Sequence, residues 1–289
     1  MMRKVAALAC LLVAILVLAA WPDVLFVEQD AVVFRPSAVF TDVIGYVRGV
    51  ADGTSFVYGF WDERSLFAGL DTRIVNSFLY MVVAGLLAVA MGPALGIWLT
   101  AGRHDRLKDA VTLTGAVPDF VLALLLQIAV VAFYKSTGHR LARVASIDSS
   151  RPAILLPLLV LSLVPMVYLV RTVSARTYQI VTEPFVTVAR ARGAARRRIY
   201  LTQVLPNVTR YLRADVSRVT GLILADFFIV DYLFNLRGIT TLIFSFGLKG
   251  GYRYSLVVNG LILSVLLYAA VYLVLRAFVR GVEALAVRA

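Results

Sequence analysis

The chain has 289 residues, 61% of them hydrophobic and 16% charged, with a mean hydropathy of +0.85 and a net charge of +12. That balance excludes an ordinary soluble domain, since the apolar residues come in blocks of about 20, the length a helix needs to cross ~30 Å of hydrocarbon. A polytopic all-α membrane protein follows, because only helices and closed barrels satisfy backbone polar groups in lipid, and these runs lack the alternation of a barrel.

In such a protein the basic excess reports orientation before it reports nucleic acid. The single cysteine, Cys10, lies in an apolar run, so neither a disulfide framework nor a thiolate cluster is expected. His104 and His139 lack metal-ligand spacing and read as loop residues.

Residues 1–27 predict a first transmembrane helix, basic at Arg3 and Lys4 and apolar from Val5 to Ala20. The same pattern describes a signal peptide; it is read as retained because Val24 to Val27 can extend the span. Residues 28–73 form a polar segment in which seven acids outnumber four bases, expected outside the cytoplasm with short helices. The remainder, 74–289, predicts spans over about 74–99, 110–134, 152–169, 216–236 and 256–278, with a kink at Pro118. An arginine-rich loop covers 171–213. Six spans put both termini on one side, which carries 18 of the 29 Lys and Arg residues. The positive-inside rule makes that side the cytoplasm of a multi-pass cell-membrane protein. No internal repeat or second soluble domain is visible, and the chain reads as one membrane domain.

Catalytic chemistry is missing from the pattern. There is no G-x-x-x-x-G-K-[ST] phosphate loop, no H-E-x-x-H, and no histidine near Ser162 or Ser264 to act as base. No catalytic residue, cofactor or metal ligand is expected, and LKGGYR around Gly250 reads as a glycine turn.

The informative stretch is 182–207. Phe185, Val188 and Ala189 recur at helical spacing, Pro184 suits a first helical position, and Gly193 can take the left-handed conformation that ends a helix. Arg196, Arg197, Arg198 and Ile199 start a second helix whose apolar positions Ile199, Val204 and Leu205 lead to Pro206. From residue types alone the loop is either an interfacial helix on anionic lipid or a partner-docking surface; the aromatics do not interleave with the arginines as nucleic-acid binding requires.

FVTVARARGAARRRIYLTQVLPN closely resembles the signature loop of ABC-importer permeases of the dipeptide/oligopeptide (and nickel) subfamily. VPDF at 117–120, ILLP at 154–157, residues 169–174, DYLFNLRGI at 231–239 and GYRYSLVVNG at 251–260 resemble further motifs of that family in order. The resemblance implies the permease fold, with a cytoplasmic coupling helix seated on an ATPase through Thr187, Val188, Ala189, Arg190, Ala191, Arg192, Gly193 and Ala194. It also implies a homologous second permease, two ATPase subunits that hydrolyse the ATP, an extracytoplasmic binding protein, and peptide or similar small-solute import. The sequence departs from the family at Glu183-Pro184, at Arg237 in place of proline and at Asp226 in place of a small residue, which bears on substrate class more than on mechanism.

Asp119, Asp226 and Asp231 fall in or beside apolar spans, where a carboxylate costs about 2.5–3.5 kcal/mol and should face the bundle interior or water. With Asn235 they are candidate pathway or gate residues; the alternative is bonding to a neighbouring helix or subunit. Asp231, one turn from the end of its span, suits a gate or cap. Asp215 and Arg218 are one turn apart and expected to pair. A self-sufficient ion-coupled carrier using Asp226 and Asp231, or a membrane scaffold or an enzyme with an unrecognised site, are the competing functions.

Overall fold

A computed structural model describes residues 2–28, 31–58, 64–102, 105–115, 117–147, 151–246 and 252–288. Asp30, the 59–63 stretch with Trp61, His104 and the Gly250 turn lie outside the described residues. In chain order the elements are α1 Met2–Ala19, α2 Trp21–Val24, β1 Leu25–Glu28, β2 Ala31–Phe34, α3 Ala38–Asp52, β3 Val57–Tyr58 and β4 Arg64–Ser65. Then come α4 Leu70–Gly102, α5 Asp105–Thr114, α6 Asp119–Thr137, α7 Leu155–Val181, α8 Pro184–Ala191 and α9 Arg196–Ile199. A π turn over Tyr200–Val204 leads into α10 Leu205–Phe234, a second over Leu242–Phe246 follows, and α11 is Tyr254–Arg288.

Two compact units form, the first from Met1–Ser77 and Arg237–Leu267, the second from Phe78–Leu236 and Tyr268–Ala289. The first unit thus brings the 28–73 segment together with α1 and with the stretch 237–267. In the first unit, β1 and β2 pair antiparallel from Leu25 opposite Phe34 to Glu28 opposite Ala31. The α3 helix stops at Gly53, whose φ of 82° is left-handed. Asn259 of α11 accepts from the Tyr46 hydroxyl at 2.8 Å and donates to the Ser55 carbonyl at 2.8 Å, so one amide ties the middle of α3 to the turn that follows it. Leu66, Ile239, Leu242 and Leu256 form one buried cluster, and Ile15, Ala19 and Val258 another.

The second unit is built on α7 against α10. Leu161, Leu169 and Val170 of α7 and Val219, Ile223 and Phe227 of α10 are all buried. Gly92 and Gly96 let α4 approach α7 closely: a Cβ at Gly92 would stand 2.7 Å from the Leu169 Cβ, and one at Gly96 3.0 Å from the Val170 carbonyl oxygen. Thr100 and Ser174 hydroxyls both donate to the Gly96 carbonyl, at 2.9 and 3.1 Å.

Among the described residues four helices are long and apolar enough to cross a membrane: α4, α6, α7 and α11. The expected first span is a helix, but its apolar part is only Val5–Ala19. Val24 to Val27 do not extend it, because Pro22 starts a separate turn and the chain then pairs as a hairpin. The expected 216–236 span lies on α10, where Arg218, Asp226 and Asp231 lower its apolar character. The expected 110–134 span is corrected: Pro118 does not kink a helix but separates α5 from α6, holding extended backbone at ψ 138°. The 152–169 span continues to Val181, taking in Arg171 and Arg176. After α9 the π turn loosens the hydrogen-bond register, and Pro206 sits in the first turn of α10.

Candidate functional site

The turn between α7 and α10 is built by local rules. The Thr182 hydroxyl donates to the Gln179 carbonyl at 2.8 Å, closing α7. Glu183 is extended and Pro184 opens α8, its fixed φ and missing N–H suiting that position. At the other end the Gly193 N–H reaches the Arg190 carbonyl at 2.9 Å and the Ala194 N–H reaches the Ala189 carbonyl at 3.1 Å. With Gly193 at φ 79°, this is a Schellman cap. Ala195 is extended and Arg196 starts α9.

The short α8 is two-faced. Val186 is buried and Ala189 half-buried, while Phe185, Thr187, Val188, Arg190, Ala191, Arg192 and Gly193 are exposed and Ala194 is half-buried. Sequence reasoning placed the docking surface on the small residues around Gly193; Phe185 stands beside Val188 on the exposed side and was outside that set. Its signal was the spacing of three that puts both on one face.

The base of the turn is fastened to three long helices. The Tyr168 hydroxyl on α7 donates to Asp215 on α10 at 3.0 Å and accepts from Arg218 at 3.2 Å. Asp215 and Arg218 were expected to pair with each other; they meet through this phenol. Arg176 of α7 lies 4.7 Å over the Tyr211 ring of α10, and Tyr268 of α11 donates to the Ser217 carbonyl at 3.1 Å. Arg213 and Glu283 approach to 3.9 Å at the surface. The Arg196 guanidinium donates to the Ala101 carbonyl at the end of α4, satisfying a helix-terminal oxygen and placing positive charge at its negative pole. A cleft of about 740 Å³ lies between α8, α9 and the ends of α4 and α7, lined by Thr100, Tyr178, Arg190, Arg196 and Tyr200 among others.

The intramembrane carboxylates separate into two groups. Asp119, at the start of α6, and Asp226, buried on α10, are brought within hydrogen-bonding reach of each other. Among the described residues Asp226 Oδ2 itself has no hydrogen-bond partner. Asp231 is buried beside Tyr80 of α4. Asn235 takes the left-handed conformation, φ 50°, that ends α10, and its amide donates to the Ser146 carbonyl at 3.0 Å. Ser146 returns its own N–H to the Phe234 carbonyl at 2.8 Å, and Gln127 of α6 donates to the Val144 carbonyl at 2.9 Å. Asn235 is thus a helix cap that holds the segment after α6, set apart from the Asp119–Asp226 pair. Among the described residues no three His, Cys, Asp or Glu side chains gather in a way that could hold a metal.

Residues 92–285 match the family model described as binding-protein-dependent transport system inner membrane component. No curated protein matches the sequence. Among solved structures, a chain of the MetNI methionine ABC transporter in an inward-facing conformation is similar, with a TM-score of 0.57 and 16% identity. The likeness covers 75% of this chain and 97% of that one, and at such identity it is a likeness of fold.

Proposed function

This chain belongs to the binding-protein-dependent transport system inner membrane component family, and from that premise we propose that its α8 turn is where ATPase subunits drive the permease. As an ABC-importer permease component it does no chemistry on its cargo. Energy arrives mechanically, as movement of a helix fastened to the spans.

One observation carries the reading. The α8 helix buries Val186, at 0% exposure, and leaves Phe185 and Val188 at 46% and 49%. Apolar side chains so exposed on a helix followed at once by the exposed Arg192 are suited to a groove with an acidic rim. The Gly193 cap adds no side chain where a partner backbone approaches. Because α7 continues into the turn and α10 leaves it, a force on α8 acts on both helices together.

In this reading the turn and both termini are cytoplasmic, where the basic excess puts them. A second, homologous permease completes the pathway, two ATPase subunits take the two coupling turns, and an extracytoplasmic binding protein delivers the cargo. The cargo is a di- or oligopeptide or a similar small solute, as the sequence resemblance implies. Asp119 and Asp226 are the pathway pair, and Asp231 belongs to the gate region with Asn235 as its cap. A self-sufficient carrier driven by ion movement at Asp226 and Asp231 is disfavoured by family membership.

Capture of an ATPase by the detergent-solubilised chain tests this. Phe185→Asp and Ala191→Arg should abolish both capture and uptake while the chain still inserts. Uptake that follows the proton gradient with no ATPase bound overturns the reading.

A further inference from the structure

The cleft beneath α8 has a charge pattern that docking on the opposite face leaves unexplained. Its lining brings together two guanidinium groups, Arg190 and Arg196, and two phenols, Tyr178 and Tyr200, with no carboxylate among the described residues that line it. Arg196 is partly committed, donating to the Ala101 carbonyl and lying 5.8 Å from the Tyr200 ring centre. Among the described residues the Arg190 guanidinium makes no hydrogen bond, ion pair or ring contact. Arginine presents a planar fork of donors that matches a phosphate in two parallel bonds, and a concave wall concentrates its field.

Position narrows the ligand further. The apolar part of α4 ends at Leu99, and the next residues, Thr100, Ala101 and Gly102, line the cleft. On α4 these residues follow directly on the apolar run, toward the headgroup zone where tyrosines gather and phosphates are abundant. The volume, about 740 Å³, is that of a small-molecule pocket and exceeds what one coordinated water or chloride fills.

We propose that this cleft binds a phosphate mono- or diester, held by Arg190 with Arg196 and the Tyr178 hydroxyl. The phosphate comes from an anionic lipid headgroup or from a soluble ester; the chemistry of recognition is the same. A bound phosphate ties α8 to the ends of α4 and α7, so occupancy stiffens the turn. The site stands whether or not α8 is the ATPase contact, because its test needs no ATPase.

The full chain in detergent is titrated separately with phosphatidylglycerol, diacylglycerol and inorganic phosphate. Native mass spectrometry reads lipid retention and calorimetry reads phosphate. Phosphatidylglycerol should be retained over diacylglycerol, and Arg190→Gln should weaken it about tenfold, the loss of one charge-assisted contact. Arg210→Gln, which removes an exposed charge outside the cleft, should match the wild type. Phosphate binding lost in Arg190→Gln, without preference between the two lipids, assigns the soluble source. Equal retention of both lipids with no phosphate binding overturns the proposal, as does an equal effect of Arg190→Gln and Arg210→Gln. Phe185→Asp leaves this binding intact even where it abolishes ATPase capture, which separates the two readings.

Discussion

Tyr168 on α7 donates its hydroxyl hydrogen to Asp215 Oδ1 on α10 at 3.0 Å, across 47 residues of sequence. The bond joins the helix that enters the α8 turn to the one that leaves it. Tyr168→Phe keeps the ring and removes only the hydroxyl. The Tyr168–Asp215 bond, partly in solvent, is worth about 1 kcal/mol, so Tm should fall by roughly 2–4 °C. In the assembled transporter, cargo-stimulated ATP hydrolysis should fall by more than the stability loss explains, since α7 and α10 no longer move as one. An unchanged ratio of stimulated to basal hydrolysis in Tyr168→Phe would sink the lever idea.

Gly92 and Gly221 are both helical glycines, yet their substitution should have opposite signs. A Cβ at Gly92 meets the Leu169 Cβ at 2.7 Å and the Met166 carbonyl oxygen at 3.2 Å. Gly92→Ala should therefore destabilise α4–α7 packing by about 1–3 kcal/mol. At Gly221 nothing lies within 4 Å. Gly221→Ala should be neutral or stabilise by about 0.5–1 kcal/mol through reduced backbone entropy. Thermal unfolding in detergent compares the two directly.

Gly193 caps α8 at φ 79° with open space around its Cα. Space is no obstacle to a side chain there; backbone conformation is. Gly193→Val should cost about 1–2 kcal/mol locally, and Gly193→Asn clearly less, because asparagine tolerates the left-handed region. Uptake should follow that order. Equal loss in both variants would mean that a partner excludes any side chain, which limited proteolysis of the α8 turn can distinguish from loss of the cap.

Asp42 of α3 lies outside the membrane spans, and its Oδ2 is buried with no hydrogen-bond partner among the described residues. Burial, with a smaller contribution from the charge of Asp23, holds its carboxyl above the usual aspartate range. A raised carboxyl pKa means that the folded state binds its proton more tightly than the unfolded state. The stability it contributes is complete below the unfolded value near 3.8 and is lost as pH rises through the folded value. Unfolding midpoints measured from pH ~4 to ~7 should fall with pH in the wild type and flatten in Asp42→Asn. A wild-type profile that rises over this range contradicts the assignment.

Legibility differed by kind of residue. Pro184 and Gly193 could be placed from sequence because one has a fixed φ and the other tolerates a positive one, whatever surrounds them. The same local logic failed at Pro118, where a kink became a break. Asp215 and Arg218 were paired by helical spacing alone; Tyr168, from another helix, could not enter such a reasoning. Phe185 was visible as a periodic apolar residue, but periodicity does not say which stripe of a short helix faces the protein.

What the sequence determined alone was membrane insertion by apolar helices, the basic turn between two of them and the cap that ends α8. Those follow from transfer of side chains into lipid and from backbone preferences, both nearly independent of distant contacts. Tertiary structure decided that Val186 turns inward while Phe185 and Val188 stay out, and that Arg196 reaches the end of α4 across 95 residues. It also decided that Asp119 meets Asp226, and that Arg190 and Arg196 line one cleft. Each depends on where separate helices cross, which packing sets and no local pattern encodes.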